Sequence, residues 1–177
     1  HITDADLTML QAVASRVLGE AEPELAVPKN ERGLTVRKTT HSDTLKKGLA
    51  ETLALLGSRP DVLVHATRST RESVATLVVR TMLEGATSER WASLNHHLPL
   101  LAEAAPREFL RLVDEALADG PNSPFRSVFA EEGAGFMSDR NYITGLLWAL
   151  ESLAWSDAAG DHETRDLLAN PPIADID

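Results

Sequence analysis

The chain has 177 residues, which is enough for one domain with a substantial hydrophobic core. Its 27 acidic and 17 basic side chains give a formal net charge of -10, which disfavours nucleic acid and anionic membranes as partners. The sequence has no cysteine, so disulfides, thiolate nucleophiles and cysteine-ligated metal sites are excluded.

The first residues, HITDADLTML, lack the basic and then apolar pattern of a signal peptide, and no run of the sequence reaches the roughly 18–20 apolar residues of a membrane span. We therefore expect a soluble, cytoplasmic protein. The length predicts a single domain, residues 1–177, which the patterns below predict to be all-helical. Because the chain begins at His1 and ends in the loop-like NPPIADID, we also expect it to be a piece of a longer protein.

Helical periodicity begins with a segment from about Asp4 to Leu18. A linker-like segment, residues 20–41, separates it from the sequence DTLKKGLAETLALLG. Ser42 is a suitable N-cap for this second helix, and Gly57 is predicted to end it. Its predicted buried stripe consists of leucines: Leu45, Leu49, Leu53 and Leu56.

Two further helices follow in the sequence. The third predicted helix is STRESVATLVVRTMLEG, from Ser69. The clearest is PREFLRLVDEAL, where Pro106 suits the first turn and Gly120-Pro121 stops the helix. Its charged residues occupy one side, and its other side is apolar: Phe109, Leu112, Val113, Ala116 and Leu117.

The last predicted helix, YITGLLWALESLAW, is apolar on two sides. Trp148 and Trp155 lie together on one side, well away from the second apolar stripe. We expect both tryptophans to pack inside the protein, with Trp155 the more exposed; the alternative is that they form a surface that binds a partner. The stripe consists of Ile143, Leu146, Leu147, Leu150, Leu153 and Ala154.

Successive helices joined by short corners predict an all-α fold, either an irregular multi-helix bundle or a short stack of helix pairs that resembles an α-solenoid. Only GLTVRK and DVLVH resemble strands, and both are too short to build a sheet.

The stretch NHHLPLLAEAAP raises the question of a metal site formed by His96, His97 and Glu103. On a continuous helix the two histidines would point about 100° apart, so they could not both reach one ion. Pro99 also disfavours a continuous helix through this stretch. We therefore predict a corner between two helices, with both histidines capping the last carbonyls or facing solvent.

Other catalytic signatures are missing from the sequence. It contains no GxxxxGK[ST], GxSxG or HExxH motif, and the DHE around His162, with Asp157 nearby, lacks the spacing of metal ligands. We therefore predict no cofactor, no stoichiometric metal and no ATP binding by this chain.

One part of the chain, between Lys29 and Lys47, is locally basic. Arg37 and Lys38 lie at its centre and are candidates, with the two tryptophans, for an interaction surface that contacts an acidic neighbouring domain or nucleic acid; the alternative is a solvated linker. The basic residues are Lys29, Arg32, Arg37, Lys38, Lys46 and Lys47.

Several segments together resemble a known group of proteins: GLAETLALLG, RWASL with LPLLAEAAPREFL, FAEEG, and TGLLWALESLAWS, between Ser42 and Ser156. They resemble the helical region of large bacterial multidomain proteins described as P-loop NTPases of signal-transduction (STAND) type. The resemblance implies a regulatory or sensing module of a larger bacterial protein, whose nucleotide-binding part lies outside this chain. It implies no functional residues within the chain.

We therefore predict a non-catalytic helical interaction, sensor or scaffold module whose partners are neighbouring protein domains or other subunits. Two alternatives remain at this point. One is a self-associating structural protein. The other is an enzyme whose active site is built from dispersed residues such as His65, His96, His97 and Glu131.

Overall fold

The computed structural model describes residues 2–21, 39–59, 68–126 and 142–169, with side chains described throughout except at 68–73 and 157–169. Within these ranges the regular structure is helical and includes no strand, which confirms the predicted all-α fold. The α-helices are α1 (Asp4–Leu18), α2 (Asp43–Ser58), α3 (Arg68–Leu83), α4 (Ser88–Ser93), α5 (Leu98–Ala104), α6 (Pro106–Ala118) and α7 (Thr144–Ala169).

The described structure also includes two 3-10 turns. We call Asn95–His97, between α4 and α5, the corner turn; the second is Gly120–Asn122. None of the helices in the described part of the chain has both the length and the apolar character that crossing a bilayer requires.

The helix starts follow the capping signals of the sequence. Thr3 and Asp6 form a capping box at the start of α1, in which the Thr3 N–H donates to an Asp6 carboxylate oxygen at 2.8 Å. Ser42 Oγ accepts from the Leu45 N–H at 3.3 Å at the start of α2. Pro106 occupies the first position of α6, as predicted.

The core forms around α3 and α5. Helix α3 packs against α1, α2 and α6, whereas α5 packs against α2, α6 and α7. Trp91 of α4 is 1% exposed. Its ring centroid lies 6.3 Å from that of Phe109 and 4.8 Å from that of Phe125. These three aromatic residues therefore fix α4 to α6 and to the segment that follows α6.

Small residues set the distance between α2 and α5. Helix α2 continues through Gly57 to Ser58, so the prediction that Gly57 ends it is wrong. A Cβ atom at Gly57 would overlap the carbonyl of Ala104 in α5. The predicted leucine stripe is confirmed at Leu53 and Leu56, which are buried, and Leu49 is partly buried against the core. The stripe is wrong at Leu45, which is 44% exposed. The buried residues of α2 are Lys46, Ala50, Leu53, Ala54 and Leu56.

The two ends of the linker-like segment 20–41 meet at Glu20. Its carboxylate accepts hydrogen bonds from the backbone N–H groups of Thr40 and His41 and lies 3.4 Å from Lys46 Nζ. Burial acts to raise the pKa of the Glu20 carboxyl, but the hydrogen bonds from Thr40 and His41 outweigh it and lower that pKa to about 2. The end of α1 is thus tied to the start of α2.

Candidate interaction surface

The start of α7 is fixed to the corner turn by a buried hydrogen bond. The Gly145 N–H donates to Asn95 Oδ1 at 2.9 Å. A Cβ atom at Gly145 would overlap the Asn95 carbonyl, so glycine is required for this close approach. The first turn of α7 therefore has a defined position on the corner turn.

One face of α7 packs on α5 and the corner turn. Leu146, Ala149 and Leu153 are buried on this face, and Ala149 has no exposed surface. The predicted stripe was wrong at Leu147, which is 53% exposed, and at Ala154, which is also exposed. The stripe is confirmed at Ile143, Leu146 and Leu153, and Ala149 is buried beside them, so the buried face lies to one side of the predicted stripe.

The opposite face of α7 carries both of its tryptophans. Trp148 is 61% exposed and Trp155 is 70% exposed. The prediction that they pack inside the protein is therefore wrong, because α5 and the corner turn cover only one side of the helix. The expected order, with Trp155 the more exposed, is confirmed.

Glu151 lies between the two tryptophans. It follows Trp148 by three residues and precedes Trp155 by four, so all three side chains share one face of the helix. Glu151 is exposed, and its carboxylate has no ion-pair or hydrogen-bond partner in the described part of the structure. We call the surface formed by Leu147, Trp148, Glu151 and Trp155 the tryptophan face.

A groove of about 910 Å³ adjoins this face at Trp148. It runs between the start of α2, the corner turn and the start of α7. Its wall combines aromatic and apolar side chains with polar ones, including Tyr142, Leu100, Asn95, His96 and Asp43. Trp148 belongs to both surfaces, whereas Trp155 does not line the groove.

The histidine stretch forms the predicted corner, since α4 ends at Ser93 and α5 begins at Leu98. His96 is exposed, but His97 is only 8% exposed, so the expectation that both histidines face solvent or cap carbonyls is wrong for His97. Its Nδ1 atom is buried and has no hydrogen-bond partner among the described residues. Burial lowers the pKa of His97, and the nearby His96 and Lys46 lower it further.

The remaining catalytic and metal-site candidates are not brought together by the described structure. His65 and Glu131 lie outside the described residues, as do the side chains of Asp157 and His162. Within the part of the chain that is described, no three His, Asp or Glu side chains are grouped so that they could hold a metal ion.

The basic segment is described only at its C-terminal end. Arg37 and Lys38 lie outside the described residues, so their place in an interaction surface stays a prediction. Lys46 is buried and paired with Glu20. The exposed Lys47 Nζ lies 3.7 Å from a Glu51 carboxylate oxygen on the same helix.

Comparison with protein families gives a partial match. The family described as "Sucrose phosphorylase, C-terminal" matches residues 135–172, or 38 of the 177 residues, a segment that contains α7 and both of its tryptophans. This finding overturns the resemblance to the helical region of P-loop NTPases, which is wrong. No curated protein and no solved structure matched the chain. The similarity therefore concerns the region of α7 rather than the chain as a whole.

Sequence reasoning missed two residues that define this site. The spacing of Glu151 from Trp148 and Trp155 is visible in the sequence, and it would have placed the carboxylate between the indoles. Asn95 is 50 residues from Gly145, and no local pattern indicates their hydrogen bond.

Proposed function

We propose that this chain is a helical protein-interaction module and that the tryptophan face is its binding surface. The observation that carries the proposal is the exposure of Trp148 and Trp155 on one face of α7. Tryptophan is among the side chains most enriched at the centres of protein interfaces, where burying a large apolar ring contributes most of the binding free energy.

The spacing of the face supports recognition of a partner by a helix. Leu147, Trp148, Glu151 and Trp155 cover two turns of α7, and one helix face of this length can pack against an amphipathic surface of another protein. The buried bond between Asn95 and Gly145 and the packing of α7 on α5 hold the helix in place. A surface that is already ordered loses little conformational entropy when it binds.

Crosslinking followed by reconstitution tests this proposal. A photoreactive amino acid at the exposed Ser152, beside the tryptophan face, should crosslink a protein partner in cells of the source organism. The complex should re-form from the two purified proteins, and a chain with both Trp148→Ala and Trp155→Ala should bind at least tenfold more weakly while remaining folded. Unchanged affinity of the folded double variant would contradict the proposal.

The alternative that the chain associates with copies of itself is tested by measuring its mass in solution. If the tryptophan face binds a different protein, sedimentation equilibrium over a range of concentrations should give the mass of one chain at the lowest concentrations. A dimer that dissociates only when both tryptophans are replaced would identify a second copy as the partner.

The family match favours a second candidate function, which is binding of a carbohydrate in the groove beside Trp148. The apolar face of a sugar ring stacks on an indole, and the surrounding His96 and Asp43 offer hydrogen-bonding groups for its hydroxyls. The groove volume of about 910 Å³ lies in the range of small-molecule sites.

Calorimetric titration with sucrose separates the two functions. If the groove binds sucrose, Trp148→Ala should remove the heat of binding, whereas Trp155→Ala should leave it unchanged because Trp155 does not line the groove. Protein binding should instead depend on both tryptophans. No heat with sucrose at concentrations up to the millimolar range would exclude the carbohydrate candidate.

A further inference from the structure

We infer that the partner places an arginine side chain over Glu151, between the rings of Trp148 and Trp155. This inference rests on the proposed interaction function and names the chemistry of its ligand. It starts from three neighbouring side chains on the tryptophan face. The Glu151 carboxylate has no partner in the described structure. The exposed indole of Trp148 lies one turn before it, and that of Trp155 lies one turn after it.

The helix geometry makes these three side chains one site. With a rise of about 1.5 Å per residue, the two tryptophans start about 10 Å apart along the axis, and Glu151 starts between them. A flat cation that pairs with the carboxylate therefore meets an indole on either side. Each indole attracts a cation because the electrostatic potential over the face of its ring is negative.

Guanidinium fits this site better than the other cations that proteins offer. It is planar and weakly hydrated, it donates two parallel hydrogen bonds to a carboxylate, and it stacks on aromatic rings. The ammonium group of lysine is a compact, strongly hydrated charge, so it gains less from lying between two indoles. An arginine with apolar neighbours would also cover the exposed Leu147 beside the two rings.

The net charge of the chain also favours a basic partner. A formal net charge of -10 attracts basic partners over long distances and repels acidic ones. The association rate with a basic partner should therefore fall as salt is added, since the Debye length shortens from about 10 Å at 0.1 M ionic strength to about 3 Å at 1 M.

A pair of matched peptides tests the inference. One is a short amphipathic helix of Ala, Leu and Arg; in the other, each arginine is replaced by citrulline, which keeps the shape and removes the charge. The purified chain should bind the arginine peptide roughly tenfold more tightly than the citrulline peptide, as measured by fluorescence anisotropy of a labelled peptide. Glu151→Gln should remove most of that difference. Glu103→Gln, at an exposed glutamate of α5, is the matched control and should retain it.

The outcomes distinguish this inference from the proposed function. If both peptides bind equally and Glu151→Gln has no effect, but replacing both tryptophans abolishes binding, the interaction function stands and the arginine inference is overturned. Binding that survives replacement of both tryptophans overturns the arginine inference and places the peptide elsewhere on the chain. Absence of binding by either peptide up to the millimolar range also overturns it, while the crosslinking experiment continues to test the interaction function separately.

Discussion

Asn95 Oδ1 accepts a 2.9 Å hydrogen bond from the backbone N–H of Gly145, 50 residues later in the chain. The first N–H groups of a helix have no partner within the helix, so this side chain satisfies one of those of α7 from a distant turn. It joins the corner turn to the helix that carries both exposed tryptophans. The position of the tryptophan face therefore depends on a residue far from it in the sequence.

Replacing Asn95 with Ala should lower the free energy of unfolding by about 1–2 kcal/mol, because the buried N–H of Gly145 would lose its acceptor. Urea denaturation followed by circular dichroism measures the change. Asn122→Ala is the matched control, since Asn122 is exposed in the second 3-10 turn, and it should change stability by less than about 0.5 kcal/mol. Equal losses in the two variants would show that the bond does not stabilise α7.

Two glycines of α2 should respond in opposite ways to alanine. At Gly57 the new Cβ would overlap the Ala104 carbonyl, so Gly57→Ala should force α2 and α5 apart and destabilise the protein by about 1–3 kcal/mol. At Gly48 a Cβ would meet no atom within 4 Å. Gly48→Ala should therefore stabilise the protein by up to about 1 kcal/mol through helix propensity alone. Thermal melting of both variants checks the sign, and a Gly57→Ala protein as stable as Gly48→Ala would contradict the close contact.

Stability should fall in acid partly through Glu108, which links α3 to α6. Its Oε1 atom lies 2.7 Å from Arg111 Nη2 and 2.6 Å from Arg80 Nε, and hydrogen bonds from Arg111 and Arg80 lower its pKa to about 2. A carboxyl whose pKa is lower in the folded state stabilises the fold above its unfolded value of about 4.5 and loses that contribution as the pH falls through about 2.

The variant Glu108→Gln should therefore be destabilised by roughly 1–2 kcal/mol at pH 7 and should differ little from the original chain near pH 2. Urea midpoints measured from pH 7 to pH 2 test this. Glu115→Gln is the control, because the Glu115 side chain is 57% exposed and its pair with Arg111 is at the surface. A constant difference between Glu108→Gln and the original chain across this pH range would show that the ion pairs do not stabilise the fold.

The three tryptophans of the chain should differ sharply in stability and in access to solvent. Trp91→Ala removes a fully buried ring and should cost about 3–5 kcal/mol, whereas Trp148→Ala and Trp155→Ala should each change stability by less than about 1 kcal/mol. Iodide should quench the fluorescence of Trp148 and Trp155 but not that of Trp91. Loss of stability in Trp148→Ala equal to that in Trp91→Ala would mean that Trp148 is covered.

Local signals in the sequence account well for the helix starts. The capping residue Ser42 and the first-turn proline Pro106 act within one helical turn, so their effects were predictable without the tertiary structure. The bounds of α1 were also predicted, from periodicity.

Burial was harder to predict because it depends on neighbours distant in the sequence. The apolar pattern of α7 does not show that α5 covers one side alone, so the exposure of Trp148 was not predicted. The same limit applies to Lys46, because no local pattern indicates its burial or its pairing with Glu20. Gly57 gave a weak signal in the pattern, yet it allows α2 to approach the Ala104 carbonyl of α5 more closely than any side chain would permit.

Two exposed indoles on one helix also affect how the protein behaves in concentrated solution. At neutral pH the net charge of -10 keeps identical chains apart by electrostatic repulsion. Near the isoelectric point of about 5.0 that repulsion disappears, while the apolar tryptophan face remains exposed. Light scattering should therefore show reversible clustering near pH 5. A variant with both Trp148→Ala and Trp155→Ala should cluster less. The residues proposed for partner recognition would then also set the colloidal stability of the protein.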